Sequence, residues 1–335
     1  MKKILVIRYG TIGDSIFASA FYRELRSSFP EARIDILVEE IAEGVMRNCP
    51  YINKIFFIDG KYKNLWAYVS LFRKYDTVYF LKNDSFFTKM AFLAGVKRRV
   101  GFDIKRNWFL THKSPYNEDR HEIDCYLDLL RLTGVKVESD KTELWIDPVD
   151  EIKIKNLLSK ITGKKVLIQA FSRFSQKNWV EDYWVTVVKY LANQCGAQVF
   201  YAGGKKDNYD AINYVVSNYV EKMPIDMCGE LTISETMSLV KNMDLVIGID
   251  SGLIHMAAAF DVPSILLHGP TSLVRWQPRS DKCTVLSRKF ACAPCFLQSG
   301  IKNHCKDKVA ECMEFLTPDI VVNAISDKLN IKKAY

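Results

Sequence analysis

Aspartate, serine, glycine and histidine fall within six residues in Asp250-Ser251-Gly252-Leu253-Ile254-His255, directly after the apolar run Met243 to Ile249. The run reads as a buried strand and the polar residues as the start of a helix. Ser251 and Gly252 suit a helix N-terminus, and a glycine there lets a ligand approach the backbone closely. First-turn N–H groups have no partners inside the helix, and the positive end of the dipole favours an anion. His255 adds a donor towards the same place. A phosphate or diphosphate is the natural guest of such a turn. The same residues equally fit an ordinary capped connection with His255 satisfied in the core, so spacing alone leaves both readings open.

Two further segments carry chemistry. In RYGTIGDSIFASAFYREL, Arg8 to Leu25, an apolar strand ends at Arg8, Gly10 and Gly13 allow a tight loop, and a helix is expected to begin near Asp14. The order G-x-x-G-D lacks the G-x-G-x-x-G of dinucleotide binding and the Lys-Ser/Thr of a P-loop, which disfavours an NAD-dependent dehydrogenase and a P-loop enzyme. By itself Asp14 also fits a helix cap stabilised by the dipole. In QAFSRFSQKNWVEDYW, Gln169 to Trp184, a strand end leads through a polar loop to Lys177 and then Trp179. Ser172 and Arg173 are weaker phosphate neighbours. Taken alone, Lys177 is equally an ordinary surface lysine.

These segments, with the continuation PSILLHGPTS and Trp276-Gln277-Pro278, resemble glycosyltransferase family 9, the ADP-heptose:lipopolysaccharide heptosyltransferases. The resemblance covers most of the chain; a departure is Ser rather than Thr at position 251. It implies an α/β protein of GT-B fold, with two Rossmann-like doubly wound parallel-sheet domains facing across a cleft. It implies inverting transfer of a heptose from ADP-heptose to a lipopolysaccharide or lipooligosaccharide inner-core acceptor. Asp14 would then be the general base for the acceptor hydroxyl, because an alcohol is a poor nucleophile at neutral pH. Lys177 would stabilise the leaving diphosphate, whose charge grows in the transition state. Ser172, Ser251, Gly252 and His255 would line the same group, and Asp250 would reach a donor-sugar hydroxyl or act as a cap. Gly10, Thr11, Gly13 and Arg120 are the acceptor-side candidates, although Leu81 to Arg120 gives no clear match. No metal is required for catalysis in this scheme, since protein cations and a helix dipole stand where Mg²⁺ otherwise would. A helix N-terminus weakens Asp14 as a base and desolvation restores it, and the sequence does not rank the two.

The elements that must position these groups alternate. Strands are expected at ILVI, Arg33 to Val38, Lys54 to Asp59 and Asp76 to Leu81, with helices over Phe17 to Ser27, Ile41 to Arg47, Leu65 to Lys74 and His121 to Thr133. The pattern restarts at Lys165 to Ala170, Ala197 to Gly204 and Asp244 to Asp250 after a polar stretch, Glu138 to Lys165, that holds a helix from Glu151 to Ile161. Such β-α-β-α order argues for parallel sheets covered on both faces. The expected division is an acceptor-binding domain over 1–148, a nucleotide-sugar domain over 149–317, and a C-terminal segment, 318–335, whose helix by resemblance crosses back onto the first domain.

The chain of 335 residues, 48% hydrophobic and 26% charged, suits a soluble two-domain protein. No window offers the ~20 uncharged apolar residues of a membrane span. The opening apolar run is interrupted by Arg8 with no small-residue cleavage site, so a cytoplasmic protein is expected, with peripheral contact at the inner membrane face as an option. A formal net charge of +8 suits anionic substrates, a phospholipid surface or nucleic acid. Nucleic acid is disfavoured, because the cations form no aromatic-interleaved stripe. Lys97-Arg98-Arg99, with Lys105-Arg106 close behind, is a solvated loop or a face for a phosphate-rich acceptor or an anionic membrane.

Of nine cysteines, Cys49, Cys125, Cys195, Cys228 and Cys283 are scattered and read as small buried hydrophobes. Cys292, Cys295, Cys305 and Cys312 cluster with a spacing that could build a tetrahedral thiolate site for zinc or iron, with His304 as a substitute ligand. Reduced thiols in a loop are the competing reading. Any metal there would be structural, since the cluster lies beyond the donor motif. The family resemblance adds an iron-binding version in the autotransporter heptosyltransferase branch. Two other functions stay open: a family member using another nucleotide sugar or a protein acceptor, and an inactive nucleotide-binding scaffold. The joint presence of Asp14, Lys177 and His255 speaks against the scaffold. An epimerase of this fold would need a further acid–base set that is not found.

Overall fold

The computed structural model describes residues 1–58, 64–104, 107–297, 300–301, 305 and 309–331. The chain forms two compact units, Met1–Trp145 and Ile146–Tyr335. In the first, the order is β1 (Lys3–Ile7), α1 (Ile12–Ser28), β2 (Arg33–Val38), α2 (Glu43–Met46), β3 (Lys54–Phe57), α3 (Leu65–Phe72), β4 (Thr77–Phe80), α4 (Ser85–Leu93), β5 (Arg98–Phe102), β6 (His112–Ser114) and α5 (Glu122–Arg131). The second continues with α6 (Pro148–Leu158), β7 (Lys165–Gln169), α7 (Glu181–Lys189), β8 (Gln198–Tyr201), α8 (Asp210–Val216), β9 (Ile225–Asp226), α9 (Ile233–Lys241), β10 (Leu245–Ile249), α10 (Gly252–Ala259), β11 (Ser264–His268), α11 (Leu273–Trp276) and β12 (Cys283–Ser287). A small hairpin, β13 (Phe296–Leu297) and β14 (Gly300–Ile301), precedes α12 (Glu311–Glu314) and α13 (Pro318–Leu329).

Each unit holds a six-stranded sheet, β3-β2-β1-β4-β5-β6 and β12-β11-β10-β7-β8-β9. Every pair in both sheets is parallel. Read from the opposite edge, the second order repeats the first. Both are doubly wound, with the strand order reversing between β1 and β4 and between β7 and β10. Ligands of open parallel sheets bind beyond the strand C-termini at such reversals. The central strands are apolar almost throughout, as expected where helices cover both faces.

The expected strands all form, most of them a residue or two shorter; Asp59 lies outside the described residues. The helix expected near Asp14 begins earlier, at Ile12, because Thr11 and Asp14 form a capping box that starts it. The segment from Ile41 to Arg47 is a 3-10 turn, Glu40–Ala42, followed by a single α-turn. In the stretch that matched nothing clearly, Asp84 caps α4 by accepting from Phe86 N at 2.8 Å. The near-continuous apolar run of α4 (SFFTKMAFL) hides its helical period.

Two separate cores result. One gathers Leu5, Ile7, Phe72, Val78, Phe80 and Phe87; the other gathers Val166, Ile168, Trp179, Trp184, Ile247 and Ile265. Helix α13 adds Val321, Ile325 and Leu329 to the second core and packs on α7, β11 and β12. Trp184 is fully buried there. Trp184→Ala is expected to destabilise the protein by about 3–5 kcal/mol, through lost transfer energy and the cavity left behind; urea unfolding checks it. No helix among the described residues is long and apolar enough to cross a membrane.

Candidate functional site

In the second unit the candidates converge on Asp250, which follows β10 directly. Lys177 closes a 3-10 turn, Ser175–Lys177, and places Nζ 2.9 Å from Asp250 Oδ2 and 3.2 Å from the Asp250 carbonyl. Two residues on, Trp179 is buried, donates its indole N–H to Leu316 O at 2.8 Å and packs edge-on against Trp184. The Lys-x-Trp pair is therefore an anchor and a positioned cation. Thr271 Oγ1 donates to Asp250 Oδ2 at 2.8 Å and lies 3.0 Å from His268 Nε2. His255, buried in the first turns of α10, holds Nε2 3.6 Å from Asp250 Oδ1. That is longer than a formed hydrogen bond. Burial opposes the Asp250 charge, but His255 and Lys177 outweigh it and hold the carboxyl well below its ordinary range. Burial lowers the His268 pKa, against the pull of Asp250.

Ser251 is the N-cap of α10, yet its side chain makes no capping bond; the hydroxyl donates to Gln169 Oε1 at the end of β7. The first-turn N–H groups of α10 are thus left to another acceptor, and the anchored hydroxyl ties the two strands of the reversal together. Ser172 sits in the β7–α7 loop, where its N–H donates to Asn178 Oδ1 at 2.8 Å and its Oγ accepts from Phe174 N at 3.2 Å. Arg173 is exposed. Gln169 and Thr271, which orient Ser251 and Asp250, were part of the quoted motifs but carried no signal of their own.

The first unit has its own cluster beyond β1. Asp14 is bound on both oxygens: Oδ1 by the Arg8 guanidinium, Oδ2 by Thr11 N at 2.7 Å and Thr11 Oγ1 at 3.0 Å. Gly10 has φ +147°, and a Cβ there would run into the Asp14 carboxylate. That position needs glycine on both grounds. Gly13 lies in the first turn of α1. Arg120 is exposed and pairs with Asp128 on α5.

Sequence reading missed the buried partners of Arg8. Its Nε donates to Tyr126 OH at 2.6 Å. Burial disfavours its charge, but Asp14, Tyr126 and Glu122 more than compensate and raise its pKa. Glu122, buried at the start of α5, accepts from Tyr116 OH at 3.0 Å. Burial pushes its carboxyl up to about 7 against the pull of Arg8. An acid with a raised folded pKa stabilises the fold while protonated. Its contribution is full below its ordinary value of 4.5 and is lost as pH rises through about 7. Glu122→Gln, which cannot ionise, is expected to be more stable than the native chain by roughly 3 kcal/mol at about pH 8 and little different near pH 4, read by thermal unfolding at both pH values.

The four clustered cysteines are unpaired thiols. Burial raises Cys295 and Cys312, and the neighbouring thiols add to both shifts. Cys295 N donates to Pro270 O at 3.0 Å, which docks the cysteine segment on the turn that carries Thr271. Among the described residues no group of three or more His, Cys, Asp or Glu side chains is arranged to hold a metal ion. His304 lies outside the described residues, as do Lys105 and Arg106.

The model of the family described as glycosyltransferase family 9 (heptosyltransferase) matches residues 69–305. Among similar proteins, lipooligosaccharide heptosyltransferase 2 of Haemophilus influenzae is 23% identical over 84% of this chain and 88% of that protein. Among solved structures, a family 9 glycosyl transferase from Veillonella parvula aligns with a TM-score of 0.85 at 20% identity, covering 99% of this chain and 98% of the other. The E. coli ADP-heptose LPS heptosyltransferase II aligns at 0.79 and 19% identity, covering 100% of both chains. The likenesses in structure show the fold, which is GT-B.

Proposed function

The chain belongs to glycosyltransferase family 9, and from that premise we propose that it transfers a heptose from ADP-heptose to the inner core of lipopolysaccharide or lipooligosaccharide, with inversion at the anomeric carbon. One observation carries the reading: Lys177 and His255 meet on Asp250 beside the uncapped N-terminus of α10, at the strand reversal of the second sheet. A diphosphate arriving there finds an ammonium, an imidazole and N–H groups already ordered, so little reorganisation accompanies the reaction.

The acceptor oxygen forms a bond to the anomeric carbon while the bond from that carbon to the diphosphate oxygen breaks, and ADP leaves with the electron pair. Asp14 takes the hydroxyl proton. Lys177 stabilises the charge gathering on the departing oxygen more than it stabilises the bound donor, which makes the contact catalytic. Ser172, Ser251 and Gly252 complete the nucleotide side, and Asp250 orients the cations and the donor sugar. Gly10, Thr11, Gly13 and Arg120 serve the acceptor. The work is done at the inner face of the cytoplasmic membrane.

The test is ADP release from ADP-heptose in the presence of a Kdo-lipid A acceptor. Release proportional to acceptor supports the reading. Silence with ADP-heptose but release from another nucleotide sugar would replace the donor and keep the family. A structural zinc or iron on Cys292, Cys295, Cys305 and Cys312 is the remaining part of the proposal, supported by thiols close enough to shift one another's pKa and by the preference of these ions for thiolate. As placed, the thiols do not close a ligand set. Elemental analysis after purification without chelator decides it: a stoichiometric metal supports the site, and a trace content removes it.

A further inference from the structure

We propose that the face built by α4 and residues 107–113 docks the first unit onto an anionic phospholipid surface. The transfer reaction does not require this face, and the inference stands independently of the donor.

Lys89, Phe92 and Leu93 share one side of α4, at i, i+3 and i+4. Phe92 and Leu93 are about half exposed, at 50% and 54%, and Trp108 is 82% exposed. Trp108 is held out rather than left loose. On one side of it, Asn107 Nδ2 donates to Thr88 Oγ1 of α4 at 3.1 Å; on the other, the Phe109 ring lies 5.5 Å from that of Phe92. The segment is thus pinned to α4 at both flanks, with the indole projecting between the pins.

Cations frame the apolar group. The Arg99 guanidinium sits 5.4 Å from the Phe92 ring centre, with its Nε donating to Phe109 O at 2.5 Å, and Lys113 Nζ lies 6.0 Å from the Trp108 ring. Lys89, on the Phe92 side of α4, is exposed, and so is Lys97, in the turn that leads from α4 to β5. Between Ser85 and Lys113 the sequence has seven Lys and Arg against one acid, Asp103, in a chain whose formal net charge is +8. Most of the positive excess therefore falls in this stretch of the sequence.

An amphipathic indole with flanking phenyl and leucyl groups suits the headgroup boundary of a bilayer, and the surrounding cations suit an anionic leaflet. A second copy of the chain is a poor occupant, because it would oppose two faces of the same sign.

The experiment is co-sedimentation of the whole protein with phosphatidylcholine vesicles and with equimolar phosphatidylglycerol–phosphatidylcholine vesicles. Binding is expected to the anionic vesicles, to fall with salt, and to be weak on the neutral ones. Trp108→Ser should lower the partition, and Lys89→Glu/Lys97→Glu should lower it on the order of 25-fold or more, at about fivefold for each cation lost. Tyr214→Ser, which removes an exposed aromatic of the second unit, should change nothing. Equal binding to neutral vesicles, no binding to either, indifference to Trp108→Ser, or a loss of self-association in that variant would overturn the proposal. The vesicles carry no sugar acceptor, so failure here leaves the transfer reaction untouched. Conversely, Trp108→Ser should retain full turnover on a deacylated, water-soluble acceptor.

Discussion

Lys177→Ala is expected to lower turnover by on the order of 10²–10³-fold, the usual loss when one positioned stabiliser of transition-state charge is removed. The effect should fall mainly on kcat, since the ammonium matters most as the diphosphate leaves. It has a structural companion. Asp250 is almost fully buried and would keep His255 and Thr271 but lose the Lys177 ammonium that lies 2.9 Å away. Breaking such a pair from one side costs about 3–5 kcal/mol. Lys177→Ala/Asp250→Asn removes the stranded charge, so it should recover much of the stability while staying slow. ADP release and urea unfolding, measured on the same preparations, separate the two effects. A folded Lys177→Ala protein within tenfold of native turnover would remove this lysine from the chemistry.

Asp14→Asn should lower turnover by roughly 10²–10⁴-fold, the range for a general base, and leave nucleotide affinity unchanged, because the proposed nucleotide groups belong to the second unit. Asparagine is the informative variant. Its amide oxygen can still accept from Thr11 N, so the start of α1 survives. Either variant leaves the buried Arg8 guanidinium without its carboxylate, at about 3–5 kcal/mol, and alanine in addition removes the acceptor for Thr11 N, so urea unfolding is read on the same preparations. Undiminished turnover in Asp14→Asn, with donor binding intact by calorimetry, would reduce Asp14 to a cap and counter-ion. Both Asp14 oxygens already carry bonds, one from Arg8 and the other from Thr11.

The Arg8–Asp14 pair could not be read from the sequence. Arg8 looked like the residue that ends an apolar run, and the partners that give it meaning, Glu122 and Tyr126, lie on α5, far along the chain. Glu122 carries the ordinary signature of a first-turn helical acid, and nothing local marks it as buried. Gln169 and Thr271 are similar: each orients a motif residue through a contact that exists only once β7, β10 and β11 are side by side. Local patterns were legible where one physical signal dominated. The strand β10 followed by Ser251-Gly252 was one such place, and Pro318–Leu329, with a proline at its start and regular apolar spacing, was another. They failed over α4, where apolar residues on both faces erase the period.

The repeated strand order of the two sheets has a consequence for how such a protein can change. Each half owns a complete interior and a complete strand reversal, so its rim loops can be rewritten without disturbing the other half's packing. On the proposed reading, the loop beyond β1 can change with the acceptor while the groups around Asp250 that would hold the nucleotide are inherited intact. Such a chain can be altered one half at a time.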